Sequence, residues 1–290
     1  MSSILLTRPK HLVQPLRAEL ESLGWTVWLQ PTIEIRPPDS WVEIDNVIRQ
    51  LLFNHNENRF DWLVFSSVNG IQFFFDREQL LKEETKESDQ TPCAIVDNQR
   101  TFLKSVRIAV IGTETNAALQ QRIGRQADIV PEMFSIEGVL EYLLPDASAG
   151  KHFLLLRANR GRDLLRRRLE EAGGIVTEII AYQSVDVEQP SPEIVELLRL
   201  GQIRYITVTS SAIACSLVRM FGDHLKQSEL ISISPITSNT LCDLGFPPQH
   251  EAKIASIKGI VDLLKTLSLT EQISISDLNC YDKILGRQHQ

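Results

Sequence analysis

The sequence predicts an α/β protein with two flavodoxin-like parallel-sheet lobes, and two observations support this fold class. Short apolar runs alternate with longer stretches of helical spacing along the 290 residues, an order typical of parallel sheets covered by helices on both faces. Blocks of residues near the start of the chain also recur, in the same order, in its second half. Such an internal duplication, with about five predicted strands in each copy, suits two lobes of the flavodoxin type.

The duplication is visible in matched blocks whose spacing changes along the chain. The first block places Leu5-Leu6-Thr7-Arg8 149 residues before Leu154-Leu155-Leu156-Arg157. A later block places Ser135-Ile136-Glu137-Gly138 121 residues before Ser256-Ile257-Lys258-Gly259. Because the spacing shortens by 22 residues between two intermediate blocks, the first copy carries additional residues there. We interpret residues 82–104, which are polar and lack a period, as a surface insertion, and residues 268–290 as a C-terminal tail.

Each predicted element follows from apolar spacing and from the residues at its ends. Gly24 ends the first helix, Pro37-Pro38 ends the third strand, and Ser40 and Ser135 begin helices as N-caps. The predicted strands are 4–8, 25–29, 33–36, 62–65, 106–111, 127–130, 152–157, 175–185, 204–209, 229–233 and 252–255. The predicted helices are 11–23, 40–54, one that begins at 66–67, 113–123, 135–144, 161–172, 191–199, 211–221, 236–244 and 257–267.

Composition and charge exclude several classes of protein. The net charge of -7 argues against a general nucleic-acid binder, and no apolar run approaches the roughly 20 residues that span a bilayer. The first residues lack the features of a secretory signal. The four cysteines are scattered without CxxC spacing, which is typical of reduced thiols, so we expect a cytoplasmic protein.

Most signatures of cofactor or metal chemistry are missing from the sequence. It contains no GxGxxG after a strand, no GxxxxGK[ST], no HExxH and no GxSxG. The six histidines lie far apart along the chain. We therefore expect neither a cofactor nor a metal site.

Hydroxyl residues follow each buried strand, and arginines cluster near the middle of the chain. The hydroxyls are either ordinary helix N-caps or groups that line an anion site, because helix N-termini at the carboxyl ends of parallel strands bind anions. Arg157 ends a strand and Arg8 occupies the equivalent position in the first copy, so both are placed to meet an anion. Tyr182, near a strand end, is either a packed aromatic residue or a hydroxyl presented to a ligand.

The motifs and their order resemble the uroporphyrinogen-III synthase family over roughly residues 3 to 267. The motifs that carry this resemblance are Leu5-Leu6-Thr7-Arg8-Pro9, Phe65-Ser66-Ser67-Val68-Asn69-Gly70-Ile71, Val110-Ile111-Gly112-Thr113-Glu114-Thr115, Leu155-Leu156-Arg157 with Gly161-Arg162-Asp163-Leu164-Leu165, Ala181-Tyr182, Val208-Thr209-Ser210-Ser211-Ala212 and Ala255-Ser256-Ile257-Lys258-Gly259. One departure is Ser234, where family members commonly have Gly.

The resemblance implies a discontinuous architecture and a cyclising hydro-lyase activity. Residues 1–36 and 186–267 would form one lobe and residues 37–185 the other, joined by a two-stranded hinge. The implied reaction is the cofactor-free cyclisation of hydroxymethylbilane, with inversion of ring D and loss of water. It also implies a monomer that contacts the preceding pathway enzyme transiently.

The resemblance also implies roles for individual residues. Tyr182 matches a tyrosine that assists departure of the hydroxyl group as a general acid. Four hydroxyl residues match positions that line the family's cleft, namely Ser67, Thr115, Ser210 and Thr237. Arg8 and Arg157 would hold substrate carboxylates.

Two other readings of the residues remain open. Hinged α/β lobes suit a small-molecule-binding or sensor protein without catalysis equally well, because fold does not fix function. A flavodoxin-like redox carrier would instead bind flavin and be yellow.

Overall fold

The computed structural model describes residues 3–53, 60–88, 103 and 106–269. The chain divides into two compact units, of which the first combines Met1–Glu34 with Asp186–Gln290 and the second is Ile35–Val185. Each unit contains its own five-stranded sheet.

The sheet of the first unit is parallel throughout. Its elements are β1 (Ser3–Leu6), α1 (Gln14–Ser22), β2 (Thr26–Leu29), α7 (Pro192–Arg199), β8 (Tyr205–Val208), α8 (Ser211–Phe221), β9 (Glu229–Ser232), α9 (Pro235–Asp243), β10 (His250–Glu251) and α10 (257–269). The strand order is β2-β1-β8-β9-β10, and every neighbouring pair is parallel. Counted along this unit the order is 2-1-3-4-5, which is that of flavodoxin.

The sheet of the second unit also has five strands, in a different order. Its elements are β3 (Ile33–Arg36), α2 (Val42–Phe53), β4 (Trp62–Phe65), α3 (Val68–Ser88), β5 (Arg107–Val110), α4 (Thr113–Ile123), α5 (Ile136–Ser148), β6 (His152–Ala158), α6 (Leu164–Glu171) and β7 (Ile175–Asp186). The order is β3-β7-β6-β4-β5, with β7, β6, β4 and β5 running parallel. The predicted mixed α/β fold with parallel sheets is therefore confirmed.

The side chains of alternate strand residues pack into separate apolar cores on the two faces of each sheet. On β6, Leu154 and Leu156 belong to one apolar cluster, whereas Phe153 and Leu155 belong to the other. Because both faces are covered, these strands read as continuous apolar runs, as expected of buried parallel strands.

The matched Ser-Ile-x-Gly blocks form the same structure in both units. Ser135 Oγ accepts the backbone N–H of Gly138 at 3.1 Å, and Ser256 Oγ accepts that of Gly259 at 3.0 Å. A Cβ atom on Gly138 would lie 2.2 Å from the carbonyl oxygen of Met133, and one on Gly259 would lie 2.1 Å from that of Ile254. The glycines therefore allow the preceding loop to pass against the first turn of the helix.

Several predicted boundaries are wrong, and proline accounts for two of them. The first α-helix begins at Gln14, because Pro15 occupies its first turn and a separate 3-10 turn covers Lys10–Leu12. Helix α5 continues through Pro145 to Ser148 rather than ending at Leu144.

Two predicted strands also differ from the structure. The strand predicted at 127–130 is a single bridge between Ala109 and Ile129, and the last strand is His250–Glu251 instead of 252–255.

Only part of the predicted insertion and tail falls on described residues. Residues 82–88 form the end of helix α3, so the helix enters the segment that we interpreted as an insertion. Residues 89–102 and 104, together with residues 270–290 of the predicted tail, lie outside the described residues.

Candidate active site

Four of the predicted site residues lie on elements that meet at one edge of the second unit's sheet. Strands β4, β5, β6 and β7 are parallel, so their carboxyl ends share that edge. Ser67 follows β4, Thr115 lies in the first turn after β5, Arg157 is near the end of β6 and Tyr182 is in the last part of β7.

A β-bulge turns the side chain of Tyr182 into the core. Arg157 pairs with Ile180 but Ala158 pairs with Tyr182, so Ala181 is the extra residue on β7. Regular alternation would place Tyr182 on the same face as Ile180, which is 42 % exposed. Instead, Ala181 and Tyr182 both join the core cluster on the α3 face. The bulge re-aims the phenol, as bulges near functional sites commonly do.

The hydroxyl of Tyr182 contacts the N-terminus of helix α3. Its oxygen lies 2.9 Å from Ser67 Oγ. The side chain of Asn69 also forms a hydrogen bond to this hydroxyl. The ring of Phe73, one turn further along α3, stacks on the phenol. The first turns of α3 thus hold the phenol both at its oxygen and at its ring.

Burial governs the acidity of this phenol. The side chain is only 6 % exposed, and desolvation raises the pKa of Tyr182 above the usual tyrosine value of about 10. The hydrogen bonds of Ser67 and Asn69 lower this pKa, as do the charges of Arg157 and Arg160, but burial outweighs them. Tyr182 is therefore protonated at neutral pH, so it can give up a proton but cannot act as a base.

Ser67 caps helix α3 while it contacts the tyrosine. Its Oγ accepts the backbone N–H of Gly70 at 3.2 Å. The N-cap reading of Ser67 is thus correct, and the same oxygen additionally meets Tyr182. A Cβ atom at Gly70 would lie 3.3 Å from the carbonyl oxygen of Leu156, so a larger residue would make a tight contact here.

Arg157 lies on the other face of the sheet from Tyr182. Its strand partner is Ile180, and its guanidinium is paired with Asp163 at 2.9 Å and with Glu178 at 3.1 Å. The side chain is only 14 % exposed. The structure does not bring Arg157 into contact with the tyrosine, and its charge is already balanced by two carboxylates.

The remaining predicted residue of this unit is buried. Thr115 is 5 % exposed in the first turn of α4. Its position at the carboxyl end of β5 agrees with the sequence prediction, but its side chain is largely covered.

Three predicted residues lie at the corresponding edge of the first unit's sheet. Ser210 is the N-cap of α8, where its Oγ accepts the N–H of Ile213 at 3.2 Å. Thr237 is 2 % exposed and lies 3.3 Å, Oγ to Oγ, from Ser234, the N-cap of α9. Arg8 is half-buried just beyond β1.

Sequence reasoning missed the roles of Asn69 and Phe73. Asn69 belongs to the motif after β4 and Phe73 follows that motif by two residues, but neither stood out by residue type. Their spacing could have revealed them, because Ser67, Asn69 and Phe73 lie within two turns at the start of one helix. Among the described residues, no group of three or more His, Cys, Asp or Glu could hold a metal ion.

Comparison with known proteins decides the family. The model of the family described as uroporphyrinogen-III synthase HemD matches residues 14–262. The chain belongs to the uroporphyrinogen-III synthase family. It is 29 % identical to the uroporphyrinogen-III synthase of Synechococcus elongatus over 268 residues, which cover 89 % of this chain and 92 % of the relative. It is 24 % identical to that of Chlorobaculum parvum, over 91 % of this chain and 100 % of the relative.

Solved structures of uroporphyrinogen-III synthases share the fold. A mutant of the enzyme from the extremely thermophilic bacterium Thermus thermophilus matches with a TM-score of 0.60 and 16 % identity, covering 92 % of this chain and 99 % of that chain. The enzyme from Helicobacter pylori matches with a TM-score of 0.53 and 16 % identity, covering 92 % and 100 %. At this identity the likeness concerns the fold alone.

Proposed function

We propose that this chain cyclises hydroxymethylbilane to uroporphyrinogen III, with inversion of ring D and loss of water and without a cofactor. Family membership supports the reaction class. The observation that carries the mechanism is the buried, protonated phenol of Tyr182 at the carboxyl edge of a parallel sheet. That edge is where ligands of doubly wound sheets bind.

In this mechanism Tyr182 acts as the general acid. Its phenol proton passes to the hydroxyl group of hydroxymethylbilane, the carbon–oxygen bond breaks, and water leaves with the bonding electrons. The lone pair of the adjacent pyrrole nitrogen supplies the electrons that stabilise the carbon. Ring closure first takes place at the substituted α-carbon of ring D and gives a spirocyclic intermediate. The original bond at that carbon then breaks and a new bond forms at the free α-carbon of ring D, which inverts the ring and releases the proton that restores the phenol. A positioned acid of this kind contributes roughly 10²–10⁴-fold to a rate.

The rest of the site would fold the substrate and hold its many carboxylates. Helix N-termini at both sheet edges suit this role, because their N–H groups and dipoles favour anions. We propose that Ser67, Thr115, Ser210 and Thr237 mark those edges. We assign Arg8 to a substrate carboxylate. Arg157 is better suited to electrostatic support of the site, since Asp163 and Glu178 already pair with it.

Finer aspects of the architecture also belong to this proposal. Each sheet combines the first two strands of one repeat with the last strands of the other, which supports an internal duplication. The identical Ser-Ile-x-Gly geometry supports it as well. We propose that residues 1–36 with 186–267 and residues 37–185 act as two lobes. Strands β3 and β7, in which the division of the chain falls, would serve as the hinge of a cytoplasmic monomer.

The product isomer tests this function. Freshly generated hydroxymethylbilane is mixed with the protein, and the oxidised products are separated by chromatography. We expect type III to predominate, because unaided closure gives the uninverted type I ring. A type I product formed at the spontaneous rate would refute the synthase activity and leave a binding or sensor protein as the alternative.

A further inference from the structure

We propose that Ser67 and Asn69 are positioning residues that donate hydrogen bonds to the oxygen of Tyr182 and so direct the phenol's own proton outward, toward the leaving hydroxyl of the substrate. The inference rests on the proposed function and deepens it. It assigns to the start of helix α3 the task of setting the direction of proton transfer.

The capping bond leaves the hydrogen of the Ser67 hydroxyl available for the phenol. A serine hydroxyl has one hydrogen to donate and two lone pairs to accept with. Ser67 Oγ accepts the N–H of Gly70 at 3.2 Å, which uses a lone pair. The phenol oxygen lies 2.9 Å away, so the serine hydrogen is free to point at it. Ser67 then connects the first turn of α3 to the tyrosine as acceptor on one side and donor on the other.

Asn69 supplies the second donor from the same turn. It lies in the first turn of α3, two residues after Ser67, and is 7 % exposed. Its side-chain amide carries two N–H donors, and a bond donated to the phenol oxygen agrees with the lowering of the pKa of Tyr182 by Asn69. With Ser67 and Asn69 both donating, the lone pairs of the phenol oxygen are engaged by the protein. The phenol hydrogen therefore turns away from these two residues.

The same two donors also stabilise the phenolate that Tyr182 becomes after proton transfer. When the phenol O–H bond breaks and a new O–H bond forms on the leaving hydroxyl, Tyr182 becomes a phenolate. Hydrogen bonds to an ionised oxygen are about twice as strong as those between neutral groups. Ser67 and Asn69 are already oriented toward that charge, so no reorganisation is required at the moment of reaction.

Two substitutions of Asn69 distinguish a hydrogen-bond donor from a side chain that only fills space, because the two roles predict opposite orders of kcat. Asn69→Asp keeps the shape but replaces the amide donor with a carboxylate that accepts. Asn69→Ala removes the donor and the volume. If Asn69 only fills space, the Asp variant keeps a higher kcat than the Ala variant. If it donates, the Asp variant is the slower of the two, because its carboxylate attracts the phenol proton and opposes the phenolate.

We expect kcat to fall about tenfold to a hundredfold in Asn69→Ala, the range for loss of one hydrogen bond to an ionised oxygen, and further in Asn69→Asp. KM is measured separately, because a new carboxylate also repels the acidic substrate. A kcat for Asn69→Asp equal to or above that of Asn69→Ala would overturn the donor role.

A second readout does not depend on turnover. A fluorinated tyrosine is incorporated at position 182, and its ionisation is followed by fluorine NMR in the otherwise unaltered chain and in each variant. We expect its pKa to rise in Asn69→Ala and Ser67→Ala, and most in Asn69→Asp. An unchanged pKa in all three folded variants would refute the contacts themselves.

Ser67 is tested with a rescue and a matched control. Ser67→Thr keeps the hydroxyl and should keep most of kcat, whereas Ser67→Ala should lose about tenfold or more. Ser135→Ala removes an equivalent cap from α5, where Oγ accepts the N–H of Gly138 at 3.1 Å. Both Ala variants should unfold at a lower urea concentration than the unaltered protein, because each loses a helix N-cap, but only Ser67→Ala should lose activity. Equal activity losses in the two would reduce Ser67 to a cap and overturn its positioning role.

These outcomes separate the inference from the function on which it rests. Type I product from the unaltered protein refutes the synthase activity, whatever the fluorotyrosine titrations give. If the unaltered protein gives type III product but Asn69→Asp has a kcat equal to or above that of Asn69→Ala, only the inference is refuted.

Discussion

The ring of Phe73 stacks on the ring of Tyr182, with centroids 5.9 Å apart and planes inclined by 13°. Phe73 in turn lies 6.4 Å from the ring of Trp41. The guanidinium of Arg77 covers Trp41 at 5.3 Å and forms two hydrogen bonds to Asp45, at 2.6 and 2.7 Å. A row of three rings with an ion pair behind its far end therefore backs the proposed acid.

Replacing Phe73 by Leu should lower kcat by about tenfold, because the phenol loses the ring that fixes its plane. KM should change little, since the substitution removes no polar group. Steady-state kinetics on hydroxymethylbilane measures both. Phe74→Leu is the control, because Phe74 is fully buried in the core and packs on Phe65 and Phe75. It should cost stability but spare the kcat of the folded enzyme. Equal kcat losses would show that the stack has no specific role.

Replacing Tyr182 by Phe removes the acid but keeps the packing on Phe73. We expect kcat to fall up to the roughly 10²–10⁴-fold typical of a positioned acid, while type III remains the main product, because the folded substrate still favours inversion. Rate and isomer ratio are measured together. A variant as fast as the unaltered enzyme would end the role of Tyr182 as acid without touching the assignment of the activity.

Replacing Gly138 by Ala should destabilise the protein by about 3 kcal/mol, because the new methyl group meets the Met133 carbonyl at 2.2 Å and overpacking of this kind forces the backbone to shift. Gly259→Ala should do the same against Ile254. Gly112→Ala is the control, since its Cβ would find only Phe134 Cβ at 4.0 Å, and it should cost under about 1 kcal/mol. Urea denaturation checks the order, and similar losses for all three would contradict it.

The stability of the protein should fall as the pH drops through about 6.5, with His152 contributing to the slope. Burial lowers the pKa of His152, and the charge of Asp61 only partly opposes this. The unfolded chain therefore binds the extra proton more readily, so the contribution is complete above the unfolded pKa of about 6.5 and is lost below it. His152→Gln should flatten the slope measured by denaturation between about pH 7.5 and 5.5. A slope that this substitution leaves unchanged would rule out His152 as the source.

The sequence predicted the parallel sheets and most helices because these depend on local apolar spacing. The strand Trp62–Phe65 and the helices Thr113–Ile123 and Ser211–Phe221 match the predicted ranges residue for residue. The failures lay at the ends of elements. Pro145 lies inside α5 instead of ending it, and β10 consists of only the two residues that pair with β9.

The sequence predicted where the candidate site residues lie along the elements, but not the directions in which their side chains point. Tyr182 was identified near a strand end, yet period-two alternation gives no sign of the extra residue at Ala181 that turns it inward. Arg157 was expected to face an anion because it ends a strand. Its ion pair with Glu178 depends on strand β7, whose register no single stretch of sequence specifies. Asn69 was overlooked because its role exists only through Tyr182, 113 positions further along the chain.

The strand orders also determine when each sheet can form while the chain is being synthesised. Residues 35–185 leave the ribosome as one uninterrupted block and contain every strand that β4 and β6 require. Strand β1 is made first, but its neighbour β8 begins only at Tyr205. The oldest part of the nascent chain therefore waits beside β2 alone, with one edge unpaired, while the middle of the chain has all the partners it needs.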